Sequence, residues 1–468
     1  MRLPLLLALA PLLAAPAVAQ SWISTAGGPG FDIGSDLVRL PDGDLVVAGS
    51  RGDVGTDDLY VLRLDGATGA VVWERTLSVS ALSERATSVA AVPGGVVVFA
   101  SAALTGLPNG IRPWLVQLDA SGAVVWSTEG TLSREIAVNS AIVPGFVAAD
   151  GGLVFGGGRN TFSQPQRPWI ARSGLGEPSA TVTPVPEVGF GFLGTYIADL
   201  VPTAGGGAAF AGYTGPGGSG FLQRLSPTGE PLGVTSFDRA ALSVVWGAAP
   251  LADGGVAVAG TDPFGRAAVA RVDAAGAVLW ARSYEDPFDA QARDVAELPD
   301  GRLLVLVTRA DAVSSYDTES AVLLVGADGT FADWMLVRDG FSAGSPASLF
   351  LTALDVDPAD GSFVAAGTGR NSAAVSFDLV TVRTSFSGRA VASEAAPTAA
   401  GLRLWPNPAR SAATVAGAAG RAWALADVLG RTVRVGRGDG PLALTGLAPG
   451  TYLFRTDDGL TARLTVAR

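Results

Sequence analysis

A four-strand pattern that returns about every 53 residues constrains the fold of this 468-residue chain more than any other feature. Residues 88–132 show it best: two apolar runs flank a Gly-Gly turn, a longer loop follows, and two more runs flank a turn at 120–122. Asp-Gly and Gly-Gly pairs supply the positive φ angles that tight hairpins need. The first turn recurs at Asp42-Gly43, Gly94-Gly95, Gly151-Gly152, Gly205–Gly207, Gly254-Gly255, Asp300-Gly301 and Asp360-Gly361.

An apolar strand follows each of these turns, and it does not alternate between apolar and polar residues. The runs are 45–49, 96–100, 153–157, 208–212, 256–260, 303–307 and 363–367. A strand that is apolar on both faces needs cover on both faces, so neighbouring sheets must stack on it. Glycine recurs at the fifth place of the run, which predicts a close approach of another backbone segment.

Tryptophan marks the last strand of several repeats, at Trp73, Trp126, Trp280 and Trp334. Trp22 continues this spacing although no complete repeat precedes it. We therefore predict an all-β fold, a seven-bladed β-propeller over residues 20–393, in which the strand around Trp22 completes the last blade and removes an open sheet edge. An open array of β-hairpins is the alternative.

The composition excludes several kinds of site. The chain has no Cys, no His and, on a direct reading, no Lys. Disulfides, thiolate metal sites and a Ser-His-Asp triad are therefore excluded. A formal net charge of −11 argues against a nucleic-acid partner, because binding the phosphate backbone needs basic patches. We expect no metal, no cofactor and no catalytic residue that the sequence identifies.

The first 19 residues have the pattern of a secretory signal peptide. Arg2 supplies the positive start, residues 3–15 form an apolar run, and Ala17-Val18-Ala19 is a small-residue cleavage site. The alternative is an N-terminal membrane helix, but the run is short, Pro4 and Pro11 interrupt it, and Pro16 follows it directly. We expect cleavage after Ala19 and no transmembrane segment in the mature chain.

The repeats also resemble a known group of proteins. The pattern D-G-G-hydrophobic-A-G, followed by L-D-x-x-G-x-V-x-W, is similar to the repeats of secreted quinoprotein-like β-propellers and extends over nearly all of residues 21–393. That group includes enzymes, scaffolds and binding modules, so the resemblance implies a fold and leaves the function open.

The last 67 residues follow a different pattern. Residues 394–401 form a small-residue linker, and 402–468 alternate between apolar runs and Gly or Pro turns, which predicts a small Ig-like β-sandwich. This segment resembles the type A C-terminal sorting domain of the type IX (Por) secretion system. The D-x-x-G-R turn at Asp427–Arg431 contributes to the resemblance, and the other matching residues are Pro406, Asn407, Pro408, Gly430, Leu447, Pro449, Gly450 and Tyr452.

The resemblance to the sorting domain implies an export route. A chain with this signal is carried to the periplasm, crosses the outer membrane through the type IX machinery, loses the domain to a surface peptidase and is often attached to lipopolysaccharide. Arg463 and Arg468 stand in the closing strand where members of the family often have Lys, which keeps the charge. An ordinary carbohydrate-binding or adhesion sandwich is the alternative.

Candidate ligand-binding residues lie where the second strands of the repeats end. Arg51, Arg159, Arg309 and, slightly shifted, Arg370 occupy similar positions in four repeats, and four guanidinium groups at one rim suit an anionic glycan. The alternative is that they are solvated surface arginines in a chain that has no Lys. Asp355, Asp357 and Asp360 approach a calcium-loop pattern but lack its spacing and its final Glu, which favours a turn. The acidic loop 52–58 and the loop 284–289 are surface loops in the same interpretation.

We expect a secreted or cell-surface binding module rather than an enzyme. A carboxylate-based glycan-active enzyme is the alternative, and it requires two carboxylates facing each other across the central channel, about 5–10 Å apart. A quinone-dependent dehydrogenase is a second alternative, and it is disfavoured because the sequence offers no cofactor-docking residues.

Overall fold

The computed structural model describes most of the chain in ordered segments. These are residues 21–28, 30–53, 55–79, 82–103, 111–128, 144–161, 164–176, 181–184, 195–215, 218–284, 290–310, 318–337, 348–370, 376–385, 403–405, 412–416, 418–427, 431–448, 450–457 and 461–466. The predicted signal peptide and the predicted linker 394–401 lie outside the described residues. The chain divides into two compact units, residues 1–390 and 391–468.

The first unit is built from short β-strands, and its described residues contain one three-residue 3₁₀ turn and no α-helix. The strands are β1 (Trp22–Ala26), β2 (Ile33–Arg39), β3 (Leu45–Arg51), β4 (Asp58–Leu64), β5 (Val71–Leu77), β6 (Glu84–Val92), β7 (Gly95–Ala103), β8 (Ile111–Asp119), β9 (Val124–Ser127), β10 (Gly145–Val147), β11 (Leu153–Thr161), β12 (Gln164–Ser173), β13 (Thr181–Pro184), β14 (Thr195–Pro202), β15 (Ala208–Thr214), β16 (Gly220–Leu225), β17 (Pro231–Ser236), β18 (Val244–Pro250), β19 (Val256–Thr261), β20 (Ala267–Val272), β21 (Val278–Ser283), β22 (Gln291–Glu297), β23 (Leu303–Ala310), β24 (Thr318–Val325), β25 (Phe331–Leu336), β26 (Ser348–Val356), β27 (Phe363–Arg370) and β28 (Phe377–Thr384). The expected all-β class is confirmed.

These strands form seven four-stranded antiparallel sheets among the described residues. Sheet 1 is β2–β5, sheet 2 is β6–β9, sheet 3 is β10–β13, sheet 4 is β14–β17, sheet 5 is β18–β21, sheet 6 is β22–β25, and sheet 7 is β26–β28 with β1 as its fourth strand. The first strand of each sheet contacts the first strand of the next, and β26 contacts β2. The repeating arrangement is that of a β-propeller, with these first strands on the inside.

The repeat turns and strands have the conformations that the sequence predicts. Gly43, Gly94, Gly151, Gly254 and Gly301 all have φ between 81° and 93°. The second strands that follow are buried on both faces, as in β3, where Leu45 to Ala48 have no exposed area. Apolar clusters join neighbouring sheets across these faces, so the core is distributed between sheets rather than gathered at one centre.

Glycine at the fifth place of the second strand does make a close backbone approach. A Cβ on Gly49, Gly212, Gly260 or Gly367 would overlap a carbonyl oxygen of the inner strand. Beside each of these glycines the inner strand carries one extra residue, a β-bulge. Sheets 2 and 6 also carry the bulge, but they have Ala100 and Val307 at the fifth place. Glycine is therefore required by the short distance to the inner strand in the other sheets, and not by the bulge itself.

The recurrent tryptophans connect neighbouring sheets. The Nε1 atoms of Trp22, Trp73 and Trp280 donate to backbone oxygens in the turn before the last strand of the next sheet, at Gly66 (3.2 Å), Ala120 (3.0 Å) and Ala327 (2.8 Å). Each indole covers a positive-φ glycine of that turn: Gly69, Gly122 and Gly329. In sheet 4, which lacks the Trp, Arg224 lies over Gly276 instead. The regular spacing of the tryptophans therefore reflects a repeated contact between sheets.

The N-terminal strand joins the last sheet to the first. β1 pairs antiparallel with β28, from Trp22 opposite Arg383 to Ala26 opposite Leu379. Across the same junction, Arg383 donates to the Gly66 oxygen (2.7 Å), and Arg39 pairs with Asp355 (3.1 Å). Hydrogen bonds, ion pairs and the buried indole thus all act where the two ends of the repeat array meet.

The second unit contains two small sheets. Its strands are β29 (Arg403–Trp405), β30 (Ala412–Ala416), β31 (Ala422–Ala426), β32 (Thr432–Arg437), β33 (Gly440–Ala443), β34 (Gly450–Thr456) and β35 (Thr461–Val466). One sheet has the order β29-β30-β33 and the other β32-β31-β34-β35. Both contribute to one apolar core that includes Val415, Leu442, Phe454 and Leu464. In neither unit do the described residues form a helix with the length and apolarity needed to cross a bilayer.

We predict that β1 holds the ring closed. Trp22→Ala removes a buried indole and its hydrogen bond, so the free energy of unfolding should fall by about 3–5 kcal/mol in chemical denaturation. Deleting residues 20–32 removes the whole strand and should lower the melting temperature further. Val71→Thr, at a half-exposed position of outer strand β5, is the control and should change stability by less than about 0.5 kcal/mol. A melt unchanged by the deletion would contradict a closed ring.

Candidate ligand-binding site

The second strands of the sheets end where the inner strands begin, and we call this side of the first unit the front rim. Arg51 ends β3 and Arg370 ends β27, and Arg309 is the penultimate residue of β23. Arg159 lies in β11, but its side chain is outside the described residues. The sequence therefore predicted the positions of these arginines along their strands, while their use in ligand binding stays a prediction.

Arg51 is already engaged by its own sheet. Its guanidinium stacks on Tyr60 at 3.9 Å from the ring centre and donates to the Tyr60 hydroxyl at 3.0 Å. The carboxylates of Asp32 (3.8 Å) and Glu74 (3.5 Å) complete the surroundings. Arg309 likewise pairs with Glu319 at 3.0 Å. A ligand that used these two arginines would have to compete with carboxylates of the protein.

The acidic segment 354–362 is neutralised by arginines. Asp357 pairs with both Arg39 (3.2 Å) and Arg383 (3.1 Å), and Asp360 lies 3.3 Å from Arg383. The backbone N–H of Ser362 donates to Asp360, as the turn interpretation expects. Tyr284 is buried, and its hydroxyl donates to the Gly329 oxygen at 3.1 Å; the rest of its loop, 285–289, lies outside the described residues. In the described residues no group of three carboxylates is arranged to hold a metal ion.

A more promising site appears where large residues interrupt the repeat. Tyr213 follows the fifth-place glycine of β15, at a position where other sheets carry small hydroxyl residues: Ser50, Ser101, Thr261, Thr308 and Thr368. Trp246 and Arg293 are the extra residues of the bulges in β18 and β22, a place that other inner strands fill with Ser35, Thr87, Ala198 and Thr352.

These residues form one continuous row, which we call the aromatic track. Tyr196 and Tyr213 stack at 5.0 Å with an interplanar angle of 14°, and Tyr213 meets Trp246 edge-on at 6.0 Å. The Arg293 guanidinium lies between Trp246 (5.0 Å) and Phe350 (4.9 Å). The track extends from sheet 4 to sheet 7 along the front rim. Tyr196 and Trp246 remain 39% and 37% exposed, so the row offers aromatic surface to a ligand.

A cavity of about 430 Å³ opens beside the tyrosine end of the track. Tyr196, Tyr213 and Arg239 line it, together with Thr214, Ser243 and Pro263. This volume falls in the range of small-molecule sites. Among the described residues, Arg239 and Arg293 have no ion pair with a carboxylate. The site therefore combines stacking surfaces, hydroxyl groups and two cations without counter-ions.

Repeat alignment carries a signal for this site that the sequence interpretation missed. The turns, the tryptophan series and the rim arginines are all residues that recur from repeat to repeat, and Trp246 falls outside the tryptophan series. Large residues at positions that the other repeats keep small are the signal, and Tyr213, Trp246 and Arg293 are all of this kind.

Three carboxylates lie at the inner edge of the ring. Asp36, Asp199 and Asp294 occupy the same place, directly after the bulge of their inner strands. Each accepts the backbone N–H of the residue that follows it and a second N–H from the inner strand of the next sheet. The second donors are Val89 (2.8 Å), Ala248 (2.9 Å) and Leu354 (2.8 Å). These carboxylates therefore fasten neighbouring sheets to each other.

Burial raises the pKa of all three carboxylates. The side chains are partly accessible along the inside of the ring, but protein on every side desolvates them. Desolvation raises the pKa of Asp36 to about 7 and that of Asp199 to about 6, against the lowering effect of the two N–H bonds on each. The pKa of Asp294 is raised well above its usual value by desolvation and by the charges of Asp199 and Asp36.

The described sorting-motif residues serve the core of the second unit. Leu447 packs against the apolar cluster, and Tyr452 is buried with its hydroxyl donating to the Ala448 oxygen at 2.7 Å. Gly450 begins β34 with φ of 154°, and Asp427 pairs with Arg431 at 2.8 Å. Pro406, Asn407, Pro408, Gly430 and Pro449 lie outside the described residues.

Comparison with known proteins adds little at this level of similarity. No protein-family model matches the chain, and no curated protein matches it. Among solved structures it is similar to Sqt1 from Chaetomium thermophilum, with 13% identity, a TM-score of 0.43, and coverage of 74% of this chain and 82% of that one. Sqt1 bound to the N-terminus of the ribosomal protein L10 gives 11% identity, a TM-score of 0.42, and coverage of 94% and 100%. Likenesses this low carry no argument about function.

We predict that the inner carboxylates make stability depend on pH in the neutral range. Because their pKa is higher in the folded than in the unfolded chain, the folded state binds more protons, and their contribution is lost as pH rises through about 6 to 7. The free energy of unfolding should therefore fall between pH 5 and pH 8. The measurement is urea denaturation at several pH values in this range.

Asp36→Asn removes one titrating group, so it should reduce the pH slope even if the lost acceptor lowers stability throughout. Asp150→Asn is the matched control, because this carboxylate is 70% exposed and should leave the slope unchanged. A slope that Asp36→Asn and Asp199→Asn both leave intact would show that the inner carboxylates do not titrate in this range.

Proposed function

We propose that this chain is a secreted or cell-surface binding module in which a seven-bladed β-propeller binds a carbohydrate along the aromatic track. The observation that supports it most is the convergence of Tyr213, Trp246 and Arg293, three departures from the repeat in three different sheets, on one exposed row beside a cavity. Exposed aromatic faces suit the apolar faces of sugar rings, and nearby polar groups fix the orientation.

The residue types along the front rim are better explained by ligand binding than by catalysis. The row presents aromatic rings, guanidinium groups and hydroxyls, and none of the residues that line the cavity or form the track is a carboxylate. The inner carboxylates Asp36, Asp199 and Asp294 lie instead on the inner strands, where each accepts two backbone N–H groups and joins two sheets. Their positions are explained by holding the ring together.

A carboxylate-based glycan-active enzyme is the second candidate, and one observation favours it. The pKa of Asp36 is raised to about 7 and that of Asp199 to about 6, values that suit a general acid at neutral pH. Such an enzyme would cleave a sugar chain that enters the central channel. Cleavage products in a binding assay would therefore distinguish the two functions.

The second unit, in this proposal, is an Ig-like type IX sorting domain that directs the propeller across the outer membrane and is then removed by the surface peptidase. The supporting residues in the described part are Leu447, Gly450 and Tyr452, which belong to the matched motif and also build the fold. A folded signal of this kind would be recognised by its shape, since its motif residues support the sandwich rather than project from it.

Binding by the track is tested with variants that restore the repeat. Tyr213→Thr and Trp246→Ser insert residue types that other sheets carry at these places, so the fold should be retained while stacking surface is lost. We expect binding to fall at least about 5-fold on a glycan array, since stacking of a ligand ring on an aromatic side chain contributes on the order of 1–3 kcal/mol, as measured for nucleic-acid bases. Unchanged melting temperatures would show that the loss is local.

Phe331→Ala is the matched control, an aromatic of similar exposure (40%) on the outer strand β25. Binding should survive this change. If the array captured no carbohydrate with the unaltered protein, or if both track variants bound as well as it did, a carbohydrate module at this site would be wrong. If bound sugars were cleaved, and Asp36→Asn abolished the cleavage, the enzyme would replace the binding module.

Export is tested in a host that carries the type IX machinery. Deleting residues 460–468 removes β35, whose Leu464 and Val466 lie in the core of the second unit. Gly450→Val forces a side chain onto a backbone with φ of 154°. Both changes should leave a folded propeller in the periplasm, measured by fractionation and surface protease accessibility. Fusing residues 392–468 to an unrelated protein with a signal peptide should bring that protein to the surface.

Val435→Thr is the control for export, because this side chain is 72% exposed on β32 and should not alter the sandwich. Normal surface amounts of the protein that lacks residues 460–468 would rule out the sorting assignment. Failure of export alone would leave the carbohydrate site unaffected, since that site lies entirely in the first unit.

A further inference from the structure

Two arginines along the aromatic track have no carboxylate partner among the described residues. Arg239 is exposed and lines the cavity beside Tyr196 and Tyr213. Arg293 lies farther along, between Trp246 and Phe350. Two other arginines close to this rim, Arg51 and Arg266, are instead neutralised by Asp32 and Asp262. The two unpaired cations of the track are therefore free of such internal competition for an anionic ligand.

Arg293 is oriented to bind an anion with its edge. The rings of Trp246 and Phe350 lie 5.0 Å and 4.9 Å from its central carbon, and the N–H donors of a guanidinium lie in its plane. One donor is used, Nη2 to the Gln291 side-chain oxygen at 2.7 Å, and Nε is buried without a partner. Burial without a counter-ion also lowers the pKa of Arg293. In-plane donation of two N–H groups matches the geometry of a carboxylate.

The free-energy cost of placing Arg293 here without a counter-ion points to a ligand that supplies one. The N–H group on Nε of Arg293 is buried without a partner, and an unpaired buried donor next to an uncompensated charge opposes folding. Two aromatic rings compensate through cation–π attraction but do not replace the missing anion. An incoming carboxylate would supply both the charge and the hydrogen bonds. Arg239 offers the same chemistry inside the cavity, next to the stacked tyrosines.

We propose that the track binds an acidic oligosaccharide, with sugar rings stacked on the exposed rings of Tyr196 and Trp246 and carboxylates held by Arg239 and Arg293. The inference rests on the proposed carbohydrate-binding function and adds the charge and the length of the ligand. Since the two arginines lie at opposite ends of the Tyr213–Trp246 contact, the ligand needs at least two acidic residues. The site differs from the predicted ring of Arg51, Arg159, Arg309 and Arg370, of which Arg51 and Arg309 are paired internally.

Charge alone does not draw such a ligand to this protein. The chain carries a formal net charge of −11, which repels a polyanion at long range. Binding of an acidic sugar would therefore report the local site. It should weaken as salt screens the ion pairs, while the stacking contribution remains.

The test is isothermal titration calorimetry of the purified protein with matched sugars. The probes are trisaccharides of galacturonate, glucuronate and mannuronate, each with its fully methyl-esterified neutral form. We expect at least one acid to bind, and its ester to bind at least about 10-fold more weakly, because esterification removes the negative charge that strengthens the hydrogen bonds from the two arginines. Arg239→Gln with Arg293→Gln should remove this difference between acid and ester.

Arg172→Gln with Arg302→Gln is the control. It removes the same charge from two arginines that pair with Asp150 and Asp300 beside the repeat turns at the opposite rim, and the preference for acid should persist. Equal affinity for acid and ester would overturn the inference and leave the carbohydrate module standing. Loss of the preference in Arg51→Ala with Arg309→Ala, but not in Arg239→Gln with Arg293→Gln, would assign the acid to the other arginines and also overturn it. If no acid and no ester bound, the inference would fail, and the proposed function would then depend on whether the glycan array captures any other carbohydrate.

Discussion

The packing of one four-stranded sheet against the next determines the rest of this structure. The second strands are buried on both faces, so no sheet is stable until a neighbour covers each side. An open row would leave two such faces uncovered, one at each end. Contacts between inner strands return from sheet 7 to sheet 1, and β1 crosses the junction to complete the last sheet. Burial of the apolar faces therefore requires a closed ring, and the polar contacts fix how each sheet is aligned with the next.

Three kinds of contact join neighbouring sheets at different depths. At the inside, Asp36, Asp199 and Asp294 accept N–H groups from the next inner strand. In the middle, apolar clusters span two sheets, and at the outside a tryptophan covers the turn of the next sheet. The inner carboxylates carry a cost, because desolvation and mutual repulsion raise their pKa. Three sheets carry an aspartate at this place in spite of the cost. In sheet 2 the residue is Ser88, which joins its sheet to the next by accepting the N–H of Gly145 at 2.8 Å.

The sequence predicted the parts of the fold that arise from repetition. Turn glycines such as Gly94 and the doubly buried strand after them can be recognised without coordinates, because φ angles and burial impose the same residues each time. The role of Trp73 in contacting the next sheet could not be predicted, since the spacing alone does not say which turn the indole reaches. Arg51 was a candidate for ligand binding, which stays a prediction; its stacking on Tyr60 is a contact between strands that no linear pattern reveals.

The candidate site escaped prediction for a related reason. Residues from four sheets build it, and three of them, Tyr213, Trp246 and Arg293, are single departures from their own repeats, so they form no motif along the chain. Trp246 illustrates the contrast with the other tryptophans. Trp22, Trp73 and Trp280 hold neighbouring sheets together, whereas Trp246 lies on the exposed row between Tyr213 and Arg293. Residues that follow the repeat maintain the ring, and residues that break it are available for a ligand.

Fluorine NMR of protein labelled with 5-fluorotryptophan tests this division of roles most directly. The chain has 10 tryptophans, whose resonances can be assigned by substituting them one at a time. When an oligosaccharide that binds the protein is titrated in, the Trp246 resonance should shift, while those of Trp22, Trp73 and Trp280 should stay in place. Shifts of the inter-sheet tryptophans with Trp246 unmoved would contradict the account, because the ligand would then bind where the repeat is regular.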